Sequence, residues 1–188
     1  MNNNKLKIYF GSELSNLYDV GYLSTDIQQI IAFSEMINNS DLENVEKYFG
    51  EPVKGLNRYA KPLEKFAKSS EIIWVRKGSL ELVISGMGLA SAIIVPIAIA
   101  KVQHQLKKEG IERRFEISPE DKNLRIHLNA YERGKFGHGI EALNYLFEVL
   151  SRLKYKTSIV AEHAYRIDHV TDKYAGRMVR TIKRNYEK

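Results

Sequence analysis

The chain has 188 residues, 44% of them hydrophobic, with a formal net charge of +6 at pH 7 and no cysteine. The absence of cysteine excludes disulfides, thiolate metal sites and cysteine nucleophiles, and the length predicts one large domain or two small ones. Acidic residues outnumber basic ones by 7 to 3 in residues 1–50, so the net positive charge lies in the later three-quarters of the chain. A basic surface there favours an anionic partner such as nucleic acid, acidic protein or anionic lipid.

The N-terminal region predicts a mostly helical, acidic cap. Residues 5–10 alternate as a short strand, and helices are predicted over 25–38 and 40–49. Their first residues, Thr25 and Ser40, each precede Gln or Glu by three positions, as a capping box requires. No apolar run precedes a small-residue cleavage site, so we expect no secretory signal and a cytoplasmic location, with the inner membrane as the alternative.

Residues 54–68 predict an amphipathic helix whose polar face is almost purely basic. The basic side chains follow one another at spacings of 4, 3, 4 and 3 residues, at Lys54, Arg58, Lys61, Lys65 and Lys68. Such a face suits phosphates or anionic headgroups. The alternative is a solvated lysine face that only keeps the protein soluble.

The most apolar stretch of the chain, 82–100, has two interpretations. The 19 uncharged residues of 82–100 lie at the lower edge of the roughly 20 apolar residues that a bilayer requires, so a single membrane span over 82–104 is one interpretation. In the soluble interpretation, 71–85 alternates as a β-hairpin, and 89–105 then forms one helix that is buried on nearly all sides. The strand alternation favours the buried helix, because a spanning helix would not need it.

A second hairpin is predicted from the alternation of apolar residues in 113–118 and 124–130, and a helix follows over 140–153. Residues 157–170 predict a strand or a bent pair of strands, and 171–188 predicts a last helix. This last helix carries a second basic stripe, made of Lys173, Arg177, Arg180 and Arg184.

These elements together predict an α+β fold. A mixed or antiparallel sheet would be built from two hairpin–helix units, with a helical N-terminal cap, a central highly apolar helix and a basic C-terminal helix. We expect a helical region over 1–69 and an α+β domain over 70–188, or one continuous domain.

Histidines and one glycine-rich loop are the weak candidates for catalysis. His138, His163 and His169 could serve as acid–base groups if the fold brings them into one pocket. The loop 134–139 precedes a helix N-terminus, where phosphates bind well, but it lacks the Gly-Lys-Ser/Thr of a P-loop. We expect no bound metal and no cofactor.

The first functional hypothesis is a non-enzymatic binding and assembly module. Its basic helices would bind an anionic partner, most simply nucleic acid, and it would self-associate through the small residues Gly88, Ala92 and Ala100 of the central helix. One alternative is a membrane-associated protein with a single span at 82–104. The other is an enzyme acting on a phosphate-containing substrate through the 134–139 loop and a histidine.

Overall fold

The computed structural model describes residues 4–14, 16–57, 61, 64, 70–76, 78–111, 115–119, 121–137 and 139–184. Seven helices have both ends within these ranges: α1 (Leu17–Asn38), α2 (Leu42–Phe49), α3 (Leu89–Lys108), α4 (Lys122–Glu132), α5 (Gly139–Arg152), α6 (Ser158–Glu162) and α7 (Ala164–Lys183). Four strands are present there as well: β1 (Asn4–Leu14), β2 (Ser70–Arg76), β3 (Gly78–Met87) and β4 (Phe115–Pro119).

The structure is mostly helical, and helices form its core. The predicted α+β fold, with a sheet made from two hairpin–helix units, is therefore wrong. The strands pair antiparallel in the order β2-β3-β1-β4, so β1 lies between β3 and β4 and no second hairpin exists within the described residues. The predicted hairpin over 71–85 corresponds to β2 and β3.

The segment 124–130 is helical because its apolar residues also satisfy the helical period. Leu124, Leu128 and Tyr131 are buried on one face of α4, whereas Ile126, which strand alternation would place beside Leu124 and Leu128, is 52% exposed. The side chain of Asp121 accepts hydrogen bonds from the backbone N–H groups that follow it and caps the helix. Tertiary burial and a good cap therefore override the alternation.

The predicted strand over 157–170 is also wrong, because this segment forms α6 and the start of α7. The buried positions Ile167, Val170, Tyr174 and Met178 follow one another at helical spacing. The last helix therefore begins at Ala164, seven residues before the predicted start.

Helix α3 lies at the centre of the molecule, and every residue from Ala90 to Ala100 is buried. It contacts α1, α4 and α7 as well as β1, β3 and β4. The predicted buried helix over 89–105 is confirmed. The helix predicted over 140–153 is confirmed as α5, with its apolar stripe buried.

Within the described part of the chain, α3 alone is long and apolar enough, by length and composition, to cross a membrane. Its mean hydropathy is 1.4, and 72% of the apolar window is buried inside the protein. Residues 82–87, the start of the span considered above, belong to strand β3.

Helix α1 begins two turns earlier than the sequence pattern predicts. Asn16 caps it by accepting a hydrogen bond from the N–H of Asp19, and Thr25 lies inside the helix, where its hydroxyl donates to the carbonyl of Gly21. Helix α2 is likewise capped by Asp41 and not by Ser40.

The helices on both sides of the predicted domain boundary at 69/70 contribute to one hydrophobic core.

Polar contacts tie both ends of α3 to its neighbours. At the start, Glu35 of α1 accepts hydrogen bonds from the N–H of Gly88 at 3.0 Å and from the hydroxyl of Ser91 at 2.7 Å. Near the end, the ammonium of Lys101 lies 2.7 Å from the carboxylate of Asp168 and 2.8 Å from that of Asp172, both on α7. The N-cap Gly88 has no side chain to cap α3, so Glu35 takes that role.

The Glu35 contact predicts a specific loss of stability. In the Glu35→Ala variant the Ser91 hydroxyl, which is 0% exposed, loses its acceptor, so we expect the free energy of unfolding to fall by about 1–3 kcal/mol. Denaturant titration measures this. The matched control is Glu43→Ala, which removes an exposed glutamate from the first turn of α2 and should cost less than about 0.5 kcal/mol. Equal losses in the two variants would contradict this role for Glu35.

Candidate functional site

A cleft of about 690 Å³ lies between α1 and α7 and is the candidate functional site. We call it the α1–α7 cleft. Its walls are formed by one face of α1 from Leu17 to Gln29, by Leu56 and Glu64, and by Arg177 of α7. The lining includes Leu17, Tyr18, Tyr22, Gln28, Glu64 and Arg177. Aromatic, amide and guanidinium groups therefore face the same space, together with one carboxylate.

Tyr18 and Tyr22 form an exposed aromatic pair at the mouth of the cleft. They are one helical turn apart, their ring centroids are 4.5 Å apart, and the Tyr18 hydroxyl donates to the Tyr22 hydroxyl at 2.9 Å. The side chains are 60% and 41% exposed, and Leu17 beside them is 82% exposed. The hydrogen bond holds the two rings in a fixed relation while leaving them open to solvent.

Arg177, Arg180 and Arg184 follow one another at helical spacing at the end of the last helix, with Arg184 as its C-cap. Arg177 lines the cleft directly. The hydrogen bond with Tyr18 raises the pKa of Tyr22, whereas the charges of Arg184 and Arg177 lower it. Arg180 acts in the same way on Asp26. Arg180 and Arg184 are exposed, so their charges are available to a ligand.

Asp26 is a buried carboxylate at the wall of this site. It is 1% exposed, and its Oδ1 lies 2.9 Å from an Nη of Arg177. Within the described residues this oxygen accepts no hydrogen bond, so the pair is held by charge and not by good alignment. Burial raises the pKa of Asp26 to about 6, and the opposing effects of Arg177 and Arg180 do not restore the usual value.

Gln29 fixes the far wall of the cleft. Its side-chain amide donates to the carbonyl of Leu56 at 2.7 Å and accepts from the N–H of Leu56 at 2.8 Å, and the Tyr174 hydroxyl donates to the same amide oxygen at 3.3 Å. All three residues are buried. This network holds the backbone of Leu56 against α1 and α7, and so positions Leu56 on the cleft wall.

The basic residues predicted for polyanion binding fall into three groups. On α7, Arg177 lines the α1–α7 cleft, while Lys173 lines a different cavity with Glu51 and His169. Lys54 and Lys61 are exposed on the segment that borders the cleft; Lys54 is not helical, although the predicted helix begins there. The remaining three, Arg58, Lys65 and Lys68, lie outside the described residues.

The residues predicted for self-association pack inside the protein's own chain. Ala92 and Ala100 are 2% and 4% exposed, because α3 is surrounded by other elements of the fold. A Cβ added at Gly88 would lie 2.6 Å from the side chain of Asn38, so this glycine permits the close approach of α1 and α3. The small face of α3 therefore serves helix packing, and self-association stays a prediction.

The catalytic candidates are not brought together within the described residues. His163 lies between α6 and α7, where partial burial and the charge of Arg166 lower its pKa. His169 lines the cavity that contains Lys173, and His163 does not. His138 lies outside the described residues. In the described ranges no three acidic or histidine side chains could together hold a metal ion.

The glycine-rich loop borders a second cavity, of about 240 Å³. Gly137 and Gly139 adopt positive φ values of 85° and 77°, which glycine tolerates best. They share the cavity with Lys101, His104, Lys108, Tyr131, Glu132 and Asp172. Two carboxylates, those of Glu132 and Asp172, face this space, and Lys101 is already paired with Asp172, which disfavours a phosphate there.

Sequence reasoning missed Tyr18, Tyr22 and Asp26. The spacing of four residues between the tyrosines indicates that they lie on the same face of a helix. This indication holds only if α1 begins before Thr25, which the sequence pattern did not predict. The sequence gives no comparable signal for Asp26, whose burial is decided by the packing of α1 against its neighbours.

The buried Asp26 predicts that stability falls as pH rises. Its native pKa of about 6 exceeds the unfolded value of 3.8, so the folded protein binds more protons between these values and loses stability across that range. We expect Asp26→Asn to raise the free energy of unfolding near neutral pH by about 1–3 kcal/mol, and to remove most of this pH dependence. Urea unfolding of both proteins across the acidic range measures this. An asparagine variant that is less stable near neutral pH would show that the Arg177 pair outweighs the desolvation of Asp26.

Comparison of the chain with protein-family models, with curated proteins and with solved structures finds no match.

Proposed function

We propose that this protein is a binding module for nucleic acid and that the α1–α7 cleft, with the arginines beside it, is the binding surface. The single observation that carries the proposal is that Arg177 lines an open cleft together with two exposed tyrosines, while the exposed Arg180 and Arg184 follow Arg177 at helical spacing. Guanidinium groups bind phosphates with two parallel hydrogen bonds, and aromatic rings stack on bases.

The charge near the cleft supports a polyanion more than a single small anion. Within the described residues, no ion pair engages the guanidinium groups of Arg180 or Arg184, which are exposed. They follow Arg177 at helical spacing and so form a row along α7. A row of cations can contact successive phosphates of one strand and release their counterions.

The segment after α2 adds to this surface. Leu56 and Glu64 line the cleft, and the exposed side chains of Lys54 and Lys61 lie two and three residues from them along the chain. These two lysines would add positive charge near the site, which supports a shared electrostatic surface with the arginines of the last helix.

Removing two arginines from the row should weaken binding and flatten its salt dependence. For Arg180→Ala combined with Arg184→Ala, we expect the slope of log affinity against log salt to fall in magnitude by about 1.4 to 1.8, because each lost phosphate contact removes about 0.7 to 0.9. Fluorescence anisotropy with a labelled oligonucleotide, from about 50 mM to about 200 mM salt, measures the slope.

The matched control for this test removes two exposed cations elsewhere. Lys122→Ala with Arg125→Ala changes the net charge by the same amount on α4, which does not line the cleft. We expect a smaller change of slope in this control. Equal changes of slope in the two variants would show that binding depends only on net charge and not on this surface. If the unaltered protein does not bind nucleic acid at low salt, the proposed function is wrong.

Binding should also strengthen as the pH falls through about 6. Protonation of Asp26 removes the negative charge that lies 2.9 Å from Arg177, so the guanidinium becomes available to a phosphate. Between about pH 7 and about pH 5 we expect a gain in affinity of roughly 3- to 10-fold.

The Asp26→Asn variant is the control for the pH prediction. It retains every histidine but has no carboxylate beside Arg177, so its affinity near neutral pH should match that of the unaltered protein in acid, with a flatter pH profile. Fluorescence anisotropy across the same pH range measures the affinity of both proteins. Parallel pH profiles for the two proteins would assign the gain to the histidines and exclude Asp26 as its source.

A further inference from the structure

We propose that the α1–α7 cleft receives an unpaired base, so that the ligand is a single-stranded nucleic acid, with Tyr18 and Tyr22 as the stacking surface and the arginines of α7 on the adjoining phosphates. The inference rests on the function proposed above and names its ligand class. It follows from the shape, the aromatic lining and the polar groups of the cleft.

The aromatic pair is open in the way that base stacking requires. The rings of Tyr18 and Tyr22 are 60% and 41% exposed, and Leu17 adds a further apolar surface that is 82% exposed. The hydrogen bond of 2.9 Å between the two hydroxyls fixes the rings before a ligand arrives. Preorganised rings lose little conformational freedom on binding, which favours stacking.

The cleft has room and polar partners for a base. Its volume of about 690 Å³ lies within the usual range of small-molecule sites, roughly 300 to 1,000 Å³. Gln28 and Thr25 line it beside the tyrosines, and a side-chain amide can donate to and accept from the edge of an unpaired base. The side-chain amide of Gln29 is hydrogen-bonded to the backbone of Leu56. The amide in the cleft that does not make this contact with Leu56 is that of Gln28.

The positions of the rings and the cations favour a single strand over a duplex. In a duplex the bases are stacked on one another, and a side-chain ring can reach their faces only if they are unstacked or flipped out. In a single strand the base and its phosphates lie within one nucleotide of each other. Tyr22 and Arg177 line the same cleft, and the charges of Arg177 and Arg184 act on Tyr22, which suits that arrangement.

The test compares a labelled single-stranded oligonucleotide with the duplex of the same sequence, using the full chain and fluorescence anisotropy. We expect the single strand to bind at least about 5-fold more tightly. Tyr18→Ala with Tyr22→Ala should weaken single-strand binding by about 5- to 100-fold and leave duplex binding nearly unchanged. Tyr18→Phe with Tyr22→Phe keeps both rings and should retain most of the affinity, which makes it the check on folding.

Tyr165→Ala is the matched control, because Tyr165 is 68% exposed but does not line the cleft. It should leave single-strand affinity unchanged. If the alanine pair at 18 and 22 does not affect single-strand binding while the Arg180 and Arg184 variant still weakens it, the base site is wrong and the proposed function survives. If neither form of nucleic acid binds, both are wrong.

Two further outcomes would also overturn the inference. Inorganic polyphosphate that competes as well as the single strand would show that only charge is recognised at this surface. Light scattering that shows a dimer of the unaltered protein, converted to monomer by the alanine pair at 18 and 22, would assign the exposed tyrosines to contact with a second copy of the chain.

Discussion

The burial of one apolar helix is the constraint on which the rest of the structure depends. Helix α3 has no polar face from Ala90 to Ala100, so each side of it must be covered. Fully burying a Val or Ile side chain contributes about 1.5–3 kcal/mol, and this segment contains five such residues. The helices α1, α4 and α7 and the strands β1, β3 and β4 provide that cover. Glu35 and Lys101 then satisfy the polar groups near its two ends.

The position of the cleft follows from this arrangement. Helices α1 and α7 both contact α3, and they also contact each other. Beyond the core, the first turns of α1 and Arg177 of α7 line the α1–α7 cleft. The Gln29 network closes its far wall with the backbone of Leu56. A hydrophobic constraint therefore sets the spacing of the two helices that border the cleft.

Asp26 and Arg177 link the stability of the fold to the charge at this edge of the core. Asp26 is buried enough that desolvation outweighs the attraction of two guanidinium groups, so its ionised form lowers stability. The same ionised form holds Arg177 in place and offsets its charge. A neutral side chain at position 26 is expected to stabilise the fold, and it would also leave a cation uncompensated beside the cleft. Protonation of one carboxyl group therefore changes both the free energy of folding and the net charge beside the cleft.

The sequence by itself determined the elements whose apolar residues satisfy the helical period alone. The apolar density of 89–105 and the stripe of 140–153 each demand a helix, and the row of arginines from Arg177 to Arg184 can be read once that segment is helical. Only the tertiary structure decided 124–130 and 157–170, because short apolar patterns there satisfy both the strand and the helix period until the rest of the fold covers one face. The sequence patterns did not predict the cleft either. Arg177 lies more than 150 residues along the chain from Tyr18 and Tyr22, and only the packing of α1 and α7 around α3 brings it to the same cleft.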